Sequence, residues 1–269
     1  MIEINNIYNE DCLETMSRME DGMIDLICTS PPYDNMRRYG KDKTDHKRLK
    51  SGMSFDFESI AKEMTRVLKP GGVIMWNVQD QTINKSRTGS SMRQALYFLD
   101  ECELNFWDHL IWYKTGTPFP SPHRYRSVWE NMFIFSKGKP NTFNPILKKN
   151  KTAGQVRNSR KFRNYQGDFV DAFQGVPIRE YGNEDNVWYI ANGANKSYKN
   201  KLSVNHPAVM TDEIARRHIQ TWTNEMDIVY DPFLGASTTT RISKEMNRQW
   251  IGSEIHTPYY ELSKQIMGI

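Results

Sequence analysis

Short apolar runs and amphipathic stretches alternate along most of this 269-residue chain. Met23-Ile24-Asp25-Leu26-Ile27-Cys28, Val73-Ile74-Met75-Trp76-Asn77-Val78 and Asp227-Ile228-Val229-Tyr230 have the length and bounded character of buried strands. Between the first two, Phe57, Ile60, Ala61, Met64, Val67 and Leu68 recur at helical spacing, and Lys69-Pro70-Gly71-Gly72 stops that helix. The same reading predicts a short strand, a turn and a helix from Ile4 through Met19. It also predicts a helix from Ser90 to Leu104, a strand from Trp107 to Lys114 and an edge strand from Trp129 to Lys137. A helix with a capping pattern follows at Thr211 to Trp222, and Trp250-Ile251-Gly252 is a last apolar run. Strands and helices that alternate in this way predict α/β units with parallel strands. Lys139 to Lys201 breaks the pattern, with weak periodicity and scattered Gly and Asn.

Two turns at strand ends carry candidate chemistry. Ser30-Pro31-Pro32-Tyr33 follows the first strand. Neither proline has an N–H for a ladder, so the strand ends at Ser30 and the pair fixes a rigid turn. Such a turn suits a small planar group: the Pro31 carbonyl has a fixed direction, Ser30 offers a hydroxyl and Tyr33 a flat face. As a bare pattern, the tetrapeptide is as often a plain loop. The second turn, Asp231-Pro232-Phe233-Leu234-Gly235-Ala236-Ser237-Thr238-Thr239, runs from a strand into a helix, as nucleotide-binding α/β units begin. Gly235 permits close backbone approach, and Ser237 or Thr238 is placed to cap the helix. About 20 residues on, Glu254 falls where a doubly wound fold places its ribose-binding carboxylate.

Charge changes the picture in one region. The net charge is +4, yet Lys137 to Lys201 holds 13 Lys/Arg against 5 Asp/Glu, which leaves −4 for the remainder. Aromatics interleave with these charges, among them Phe162, Tyr165, Phe169, Phe173, Tyr181, Trp188 and Tyr189. A basic segment on a mildly acidic body suits an anionic partner, although a solvated lysine-rich loop has the same composition. Cys12, Cys28 and Cys102 show no C-x-x-C spacing, so neither a metal site nor a disulfide framework is expected, and a reducing cytoplasm is the natural setting. No apolar run approaches the length of a membrane span, and Met1-Ile2-Glu3-Ile4 does not open a signal peptide.

The two turns together resemble the amino-methylating DNA methyltransferases, which act on cytosine N4 or adenine N6. Ser30-Pro31-Pro32-Tyr33 corresponds to the catalytic motif of that family, and the Asp231 turn to its S-adenosylmethionine motif. With the catalytic motif first, the order resembles the family's β group. The resemblance implies a Rossmann-like α/β methyltransferase fold with permuted motif order and an inserted target-recognition region. Residues 1–138 are then the catalytic part, 139–201 the basic insertion and 202–269 the cofactor part. It implies S-adenosylmethionine as cofactor, held by Asp11, Cys12, Ser30, His206, Pro207, Asp231, Pro232, Phe233, Gly235, Ser237, Thr238 and Glu254. Asp11 and the Cys12 backbone match the family's adenine contact, while Asp11 equally reads as a helix cap. His206-Pro207 matches a turn beside the methionine end. DNA is the implied partner, met by Arg37, Arg38, Lys114, Lys148, Lys149 and Lys151, with a cognate restriction nuclease as a companion such enzymes can have, no membrane, and a monomer or homodimer.

The chemistry follows from the target. A base amine is a poor nucleophile because its lone pair is delocalised into the ring. Acceptors aimed at its N–H groups, by resemblance the Ser30 side chain and Pro31 carbonyl, pull it toward tetrahedral geometry while Tyr33 stacks on the base. Transfer is then direct and governed by positioning, and the base must leave the duplex. Methylation at cytosine C5 needs a cysteine nucleophile and is disfavoured, since Cys28 lies inside a strand and there is no Pro-Cys turn. Ser30 favours cytosine N4 by resemblance, with adenine N6 as the alternative. An RNA or protein-amide methyltransferase and a non-catalytic DNA-binding module are the weaker readings.

Overall fold

The computed structural model describes residues 2–32, 55–116, 122–156, 160–172, 175–191, 200–206 and 208–269. Tyr33, Arg37, Arg38 and Pro207 lie outside them. In chain order the elements are β1 (Asn6–Tyr8), α1 (Cys12–Ser17), β2 (Ile24–Thr29), α2 (Phe57–Val67), β3 (Leu68–Val78), β4 (Thr82–Ile83), β5 (Ser86–Arg87), α3 (Ser90–Asp100), β6 (Asn105–Lys114) and β7 (Trp129–Ser136). There follow β8 (Leu147–Lys149), β9 (Arg160–Arg163), β10 (Phe169–Ala172), β11 (Tyr181–Asn183), β12 (Val187–Ile190), α4 (Asp212–Trp222), β13 (Ile228–Asp231), α5 (Thr238–Glu245), β14 (Gln249–Ser253) and α6 (Thr257–Met267). The chain forms two compact units, residues 1–144 with 186–269, and Pro145–Asp185.

The larger unit is built on one eight-stranded sheet in the order β1-β14-β13-β2-β3-β7-β6-β12. All its pairings are parallel except those of β7, which runs antiparallel to β3 and β6. This is the mostly parallel α/β fold expected. β2 and β13, which carry the two candidate turns, are neighbours, with Leu26 opposite Val229 and Ile27 opposite Tyr230. Their carboxyl ends therefore lie side by side.

Alternation along the strands sorts the core. Ile27, Ile74, Trp76, Phe133, Phe135 and Tyr230 join Met16, Met64 and Phe98 of the first three helices in one cluster. Successive residues on a strand face opposite ways, so Leu26, Cys28, Met75, Ile134 and Val229, buried too, face the other layer. There α4 packs on β2 and β3, and α5 on β13 and β14. Strands covered on both faces read as unbroken apolar runs.

Three local expectations are corrected. The strand at Trp129 is not an edge: β7 sits between β3 and β6, and its Met132-Phe133-Ile134-Phe135 run is buried on both faces. Helix α3 stops at Asp100, short of Leu104, because Glu103 adopts a left-handed φ of 54° that a helix does not tolerate. Ser237 stands at the N-cap of α5 with φ 56° and makes no side-chain cap, and Thr238 turns its hydroxyl to the Met210 carbonyl instead, at 3.3 Å.

In the smaller unit β8 pairs with β11 and β9 with β10, both antiparallel. No described residue between 145 and 185 is buried. The segment read as one insertion, 139–201, runs through both units: Asn144 donates its N–H to the Thr221 carbonyl at 2.8 Å, and β12 joins the main sheet beside β6.

Candidate active site

The junction of β2 and β13 is fixed by buried hydrogen bonds. The Thr29 hydroxyl donates to Asp231 Oδ1 at 2.6 Å, and the Phe233 N–H donates to the same oxygen at 3.1 Å. From α5, Thr239 donates its hydroxyl to the Cys28 carbonyl at 3.0 Å. Burial pushes the Asp231 carboxyl up to about 6, held down in part by its hydrogen bonds from Thr29 and Phe233. Ser30, Pro31 and Pro32 follow Thr29 directly, so the first turn leaves the sheet beside the second.

Glu254 closes the second turn from β14. Its Oε2 accepts the Gly235 N–H at 2.9 Å and its Oε1 accepts the His256 N–H at 2.8 Å. An ionised carboxylate has about four acceptor positions, so each oxygen keeps capacity for a ligand hydroxyl. Burial raises the Glu254 carboxyl and the two backbone donors lower it. Gly235 has φ 55°, and a Cβ there would stand 3.0 Å from the His206 ring. That ring contacts Tyr259 edge-on at 4.4 Å. His206 thus packs directly over the glycine of the turn. Phe233 packs on Phe55 and Trp76 at ring separations of 5.1 and 6.2 Å.

The N-terminal acid is drawn to the same edge by a buried polar chain. Tyr230 and Ser253 share a hydrogen bond of 2.8 Å, Ser253 donates to Thr15 at 2.9 Å, and Thr15 donates to Glu10 at 2.7 Å. This anchors α1 to β13 and β14. Asp11 caps α1 by accepting the Leu13 N–H at 2.8 Å, and Cys12 is buried behind it with its thiol pushed up by burial and by Asp11. All three cysteines are buried free thiols, and Cys28 is likewise shifted upward by burial. None is a ready nucleophile. The Ser237 hydroxyl is buried with no partner among the described residues. An orphaned hydroxyl and a carboxylate with spare acceptor capacity fit a nucleoside-bearing ligand in this turn.

A polar cluster that the strand pattern did not reveal lies on the other side of Ser30. Thr29 is in register with Trp76, which brings Asn77 level with Ser30. Asn77 donates to Glu130 Oε2 at 3.2 Å and to the Asn131 carbonyl at 2.9 Å. Glu130 is ion-paired with Lys114, whose ammonium also lies 5.1 Å from the Trp112 ring. Asn77, a polar residue inside an apolar run, and the Glu130-Asn131 pair at the head of another were the signal in the sequence. Of the other expected DNA contacts, Lys148 pairs with Asp185 and Lys149 with Glu180 at 3.4 Å, and Lys151 is exposed, all in the smaller unit. The structure therefore brings Asp11, Cys12, Ser30, Pro31, His206, Asp231, Phe233, Gly235, Ser237 and Glu254 to one edge of the main sheet.

Comparison with known proteins places this arrangement in company. The profile of the N6/N4 DNA methylase family matches residues 24–265. The orphan methyltransferase M.BamHII of Bacillus amyloliquefaciens is 42% identical over 247 residues, covering 91% of this chain and 89% of that protein. The type II methyltransferase M.BglII of Bacillus subtilis is 28% identical, covering 98% of this chain and 69% of that protein. Among solved structures, the cytosine-N4-specific PvuII DNA methyltransferase superposes with a TM-score of 0.67 at 18% identity, covering 100% of this chain and 94% of the other. A Thermus thermophilus protein assigned as a DNA modification methylase, solved with S-adenosylmethionine, gives 0.60 at 16% identity, covering 97% and 94%.

Proposed function

The chain belongs to the N6/N4 DNA methylase family and is an S-adenosylmethionine-dependent DNA methyltransferase of exocyclic amines, and on that premise we propose that its target is the N4 amine of cytosine. The observation that carries the reading is the junction of β2 and β13. It sets a Ser-Pro-Pro turn beside a turn whose carboxylate, glycine and orphaned hydroxyl suit a nucleoside. Reacting groups held in this way need little further help, because positioning supplies most of the acceleration.

S-adenosylmethionine, when bound, supplies a methyl on a positively charged sulfur. Glu254 would hold its ribose, with Gly235 keeping the carboxylate aimed through its N–H, and Asp11 and Cys12 would meet the adenine. The Ser30 hydroxyl and Pro31 carbonyl would accept the amine N–H groups, drawing the nitrogen lone pair out of the ring. Tyr33 would stack on the extruded base. By family resemblance Ser30 at the head of the turn favours cytosine, and the cytosine-N4 specificity of the PvuII enzyme, whose fold this chain shares, agrees with that choice. Target recognition is assigned to the 139–201 insertion, whose compact part is Pro145–Asp185.

Nucleoside mass spectrometry of DNA from a host expressing the protein tests the reading. N4-methylcytosine is the expected product. N6-methyladenine would move the target to the alternative base, and 5-methylcytosine would overturn the mechanism.

A further inference from the structure

A basic surface in the main unit stands apart from every residue assigned above. Two segments form it. The first is 79–93, which leaves the carboxyl end of β3 and makes the β4–β5 hairpin. The second is 122–128, which leads into β7. They are tied together: the Arg124 guanidinium donates to the Lys85 carbonyl, and Gln79 Nε2 donates to Ser127 Oγ at 3.1 Å. Together they hold Lys85, Arg87, Arg93, Arg124 and Arg126, all exposed, against one carboxylate, Asp80. Five cations minus one acid is +4, as large as the net charge of the whole chain.

Among the described residues these cations are not neutralised. Asp80 Oδ1 is occupied in accepting the Ser91 N–H at the start of α3, at 2.9 Å. Arg87 and Arg93 donate to the carbonyls of Asp80 and Thr88, at 3.0 and 2.6 Å, and Arg124 to that of Lys85. Carbonyls orient a guanidinium without cancelling its charge. A guanidinium has five N–H donors, so donors remain for an anion. By contrast Lys148 and Lys149 each face a carboxylate.

The placement identifies the anion. β3 is the sheet neighbour of β2, about 4.8 Å away, and both segments leave the same sheet edge as Ser30. A nucleotide that reaches Ser30 carries its flanking phosphates to this rim. Tyr125, fully exposed between Arg124 and Arg126, adds an open aromatic face of the kind that stacks on unpaired bases. We propose that the β4–β5 hairpin and residues 122–126 form a phosphate-binding track for the DNA strand entering the active site. The inference rests on the DNA methyltransferase reading.

The test is a salt titration of binding to a random-sequence duplex, read by fluorescence anisotropy, for the unsubstituted protein and the triple variant Lys85→Gln, Arg87→Gln, Arg126→Gln. Arg124 is kept because it joins the segments. Each phosphate left without its cation flattens the slope of log K against log salt by about 0.9, so the variant's slope should fall by up to about 2.7, with S-adenosylmethionine affinity unchanged. The charge-retaining pair Arg87→Lys, Arg126→Lys should keep the slope. A triple variant with the slope of the unsubstituted protein would overturn the track and leave the methyltransferase reading intact. Failure of the unsubstituted protein to bind duplex DNA at any salt would sink both.

Discussion

The turn after β13 and the segment from Pro145 to Asp185 hold their shapes by different means. Around Asp231, which is buried, and Glu254, which is half-buried, each carboxylate is held by two donors: Thr29 and Phe233 meet one, Gly235 and His256 the other. In the smaller unit no described residue is buried. Its organisation comes from two short antiparallel ladders and from ion pairs such as Lys148–Asp185 and Lys149–Glu180, both of them solvent-exposed. Exposed pairs of that kind contribute about 0–1 kcal/mol each, whereas a broken bond to a buried charged group costs about 1.5–3 kcal/mol. The cofactor half should therefore be intolerant of small changes, and the smaller unit should yield its side chains to a partner at little cost to the fold.

The sharpest consequence concerns Asp231. Its carboxyl is raised from just under 4 to about 6 by burial, so between those values the folded protein holds a proton that the unfolded chain has released. The associated stability is complete below about pH 4 and is lost as pH rises through about 6, amounting to about 3 kcal/mol. Asp231→Asn keeps an acceptor for Thr29 and Phe233 and removes the titration. Urea unfolding of both proteins from pH 4 to pH 7 should show the variant gaining on the parent across that window. A constant difference would mean that the carboxyl is hydrated and that the contrast with the smaller unit is weaker than drawn.

Next in size is Glu254→Ala. It deletes the acceptor of two backbone N–H groups and the proposed ribose ligand together. Loss of about 1.5–3 kcal/mol should appear in calorimetry as S-adenosylmethionine affinity lower by about 10- to 150-fold. The salt dependence of DNA binding should not move. Unchanged cofactor affinity would remove Glu254 from the site.

The same division marks what could be read from the chain. The two turns were legible because their chemistry is local: prolines without N–H groups, a glycine where φ is positive, an acid at the end of the next strand. The adjacency of β2 and β13 was legible because the two turns imply a shared pocket. The place of β7 was not, since an apolar run such as Met132–Phe135 says that both faces are covered and not which strands flank it. The Asn77–Glu130–Lys114 cluster escaped for the same reason. Its members are 16 to 53 residues apart in sequence and meet only through strand order. Ser237 misled because a serine before a helix usually caps it, while here a left-handed φ turns its hydroxyl away from that task. The 139–201 segment has no period that would show where a short ladder ends and β12 begins.

A smaller effect is expected from Lys148→Gln with Lys149→Gln. Breaking two exposed pairs should change unfolding free energy by less than about 1 kcal/mol per pair. The slope of log K against log salt should flatten less than in the hairpin variant, because Asp185 and Glu180 already share these charges. If this pair instead flattens the slope more than Lys85, Arg87 and Arg126 together, the smaller unit is the principal phosphate surface and the comparison between the two basic regions is reversed.

The smallest effect on stability should come from the largest change in sequence, replacing residues 146–184 by a short Gly-Ser link between Pro145 and Asp185. The Glu184 N–H donates to the Ile146 carbonyl at 2.8 Å, so the ends to be joined already lie together. On either side, Asn144 is bonded to Thr221 and β12 is paired with β6, so both anchors stay in the main unit. The excised stretch carries no buried residue among those described. Surface changes away from buried features stay within about 0.5 kcal/mol, and shortening a loop lowers its closure entropy slightly. Thermal unfolding should therefore remain cooperative, with Tm within about 2 °C of the parent, and S-adenosylmethionine affinity should be retained. A broadened transition or a fall of about ten degrees, several times the shift expected of a surface change, would mean that the smaller unit completes the core of the larger. Retained Tm with sequence-specific methylation lost is the outcome expected of a recognition insertion carried on a self-sufficient cofactor fold.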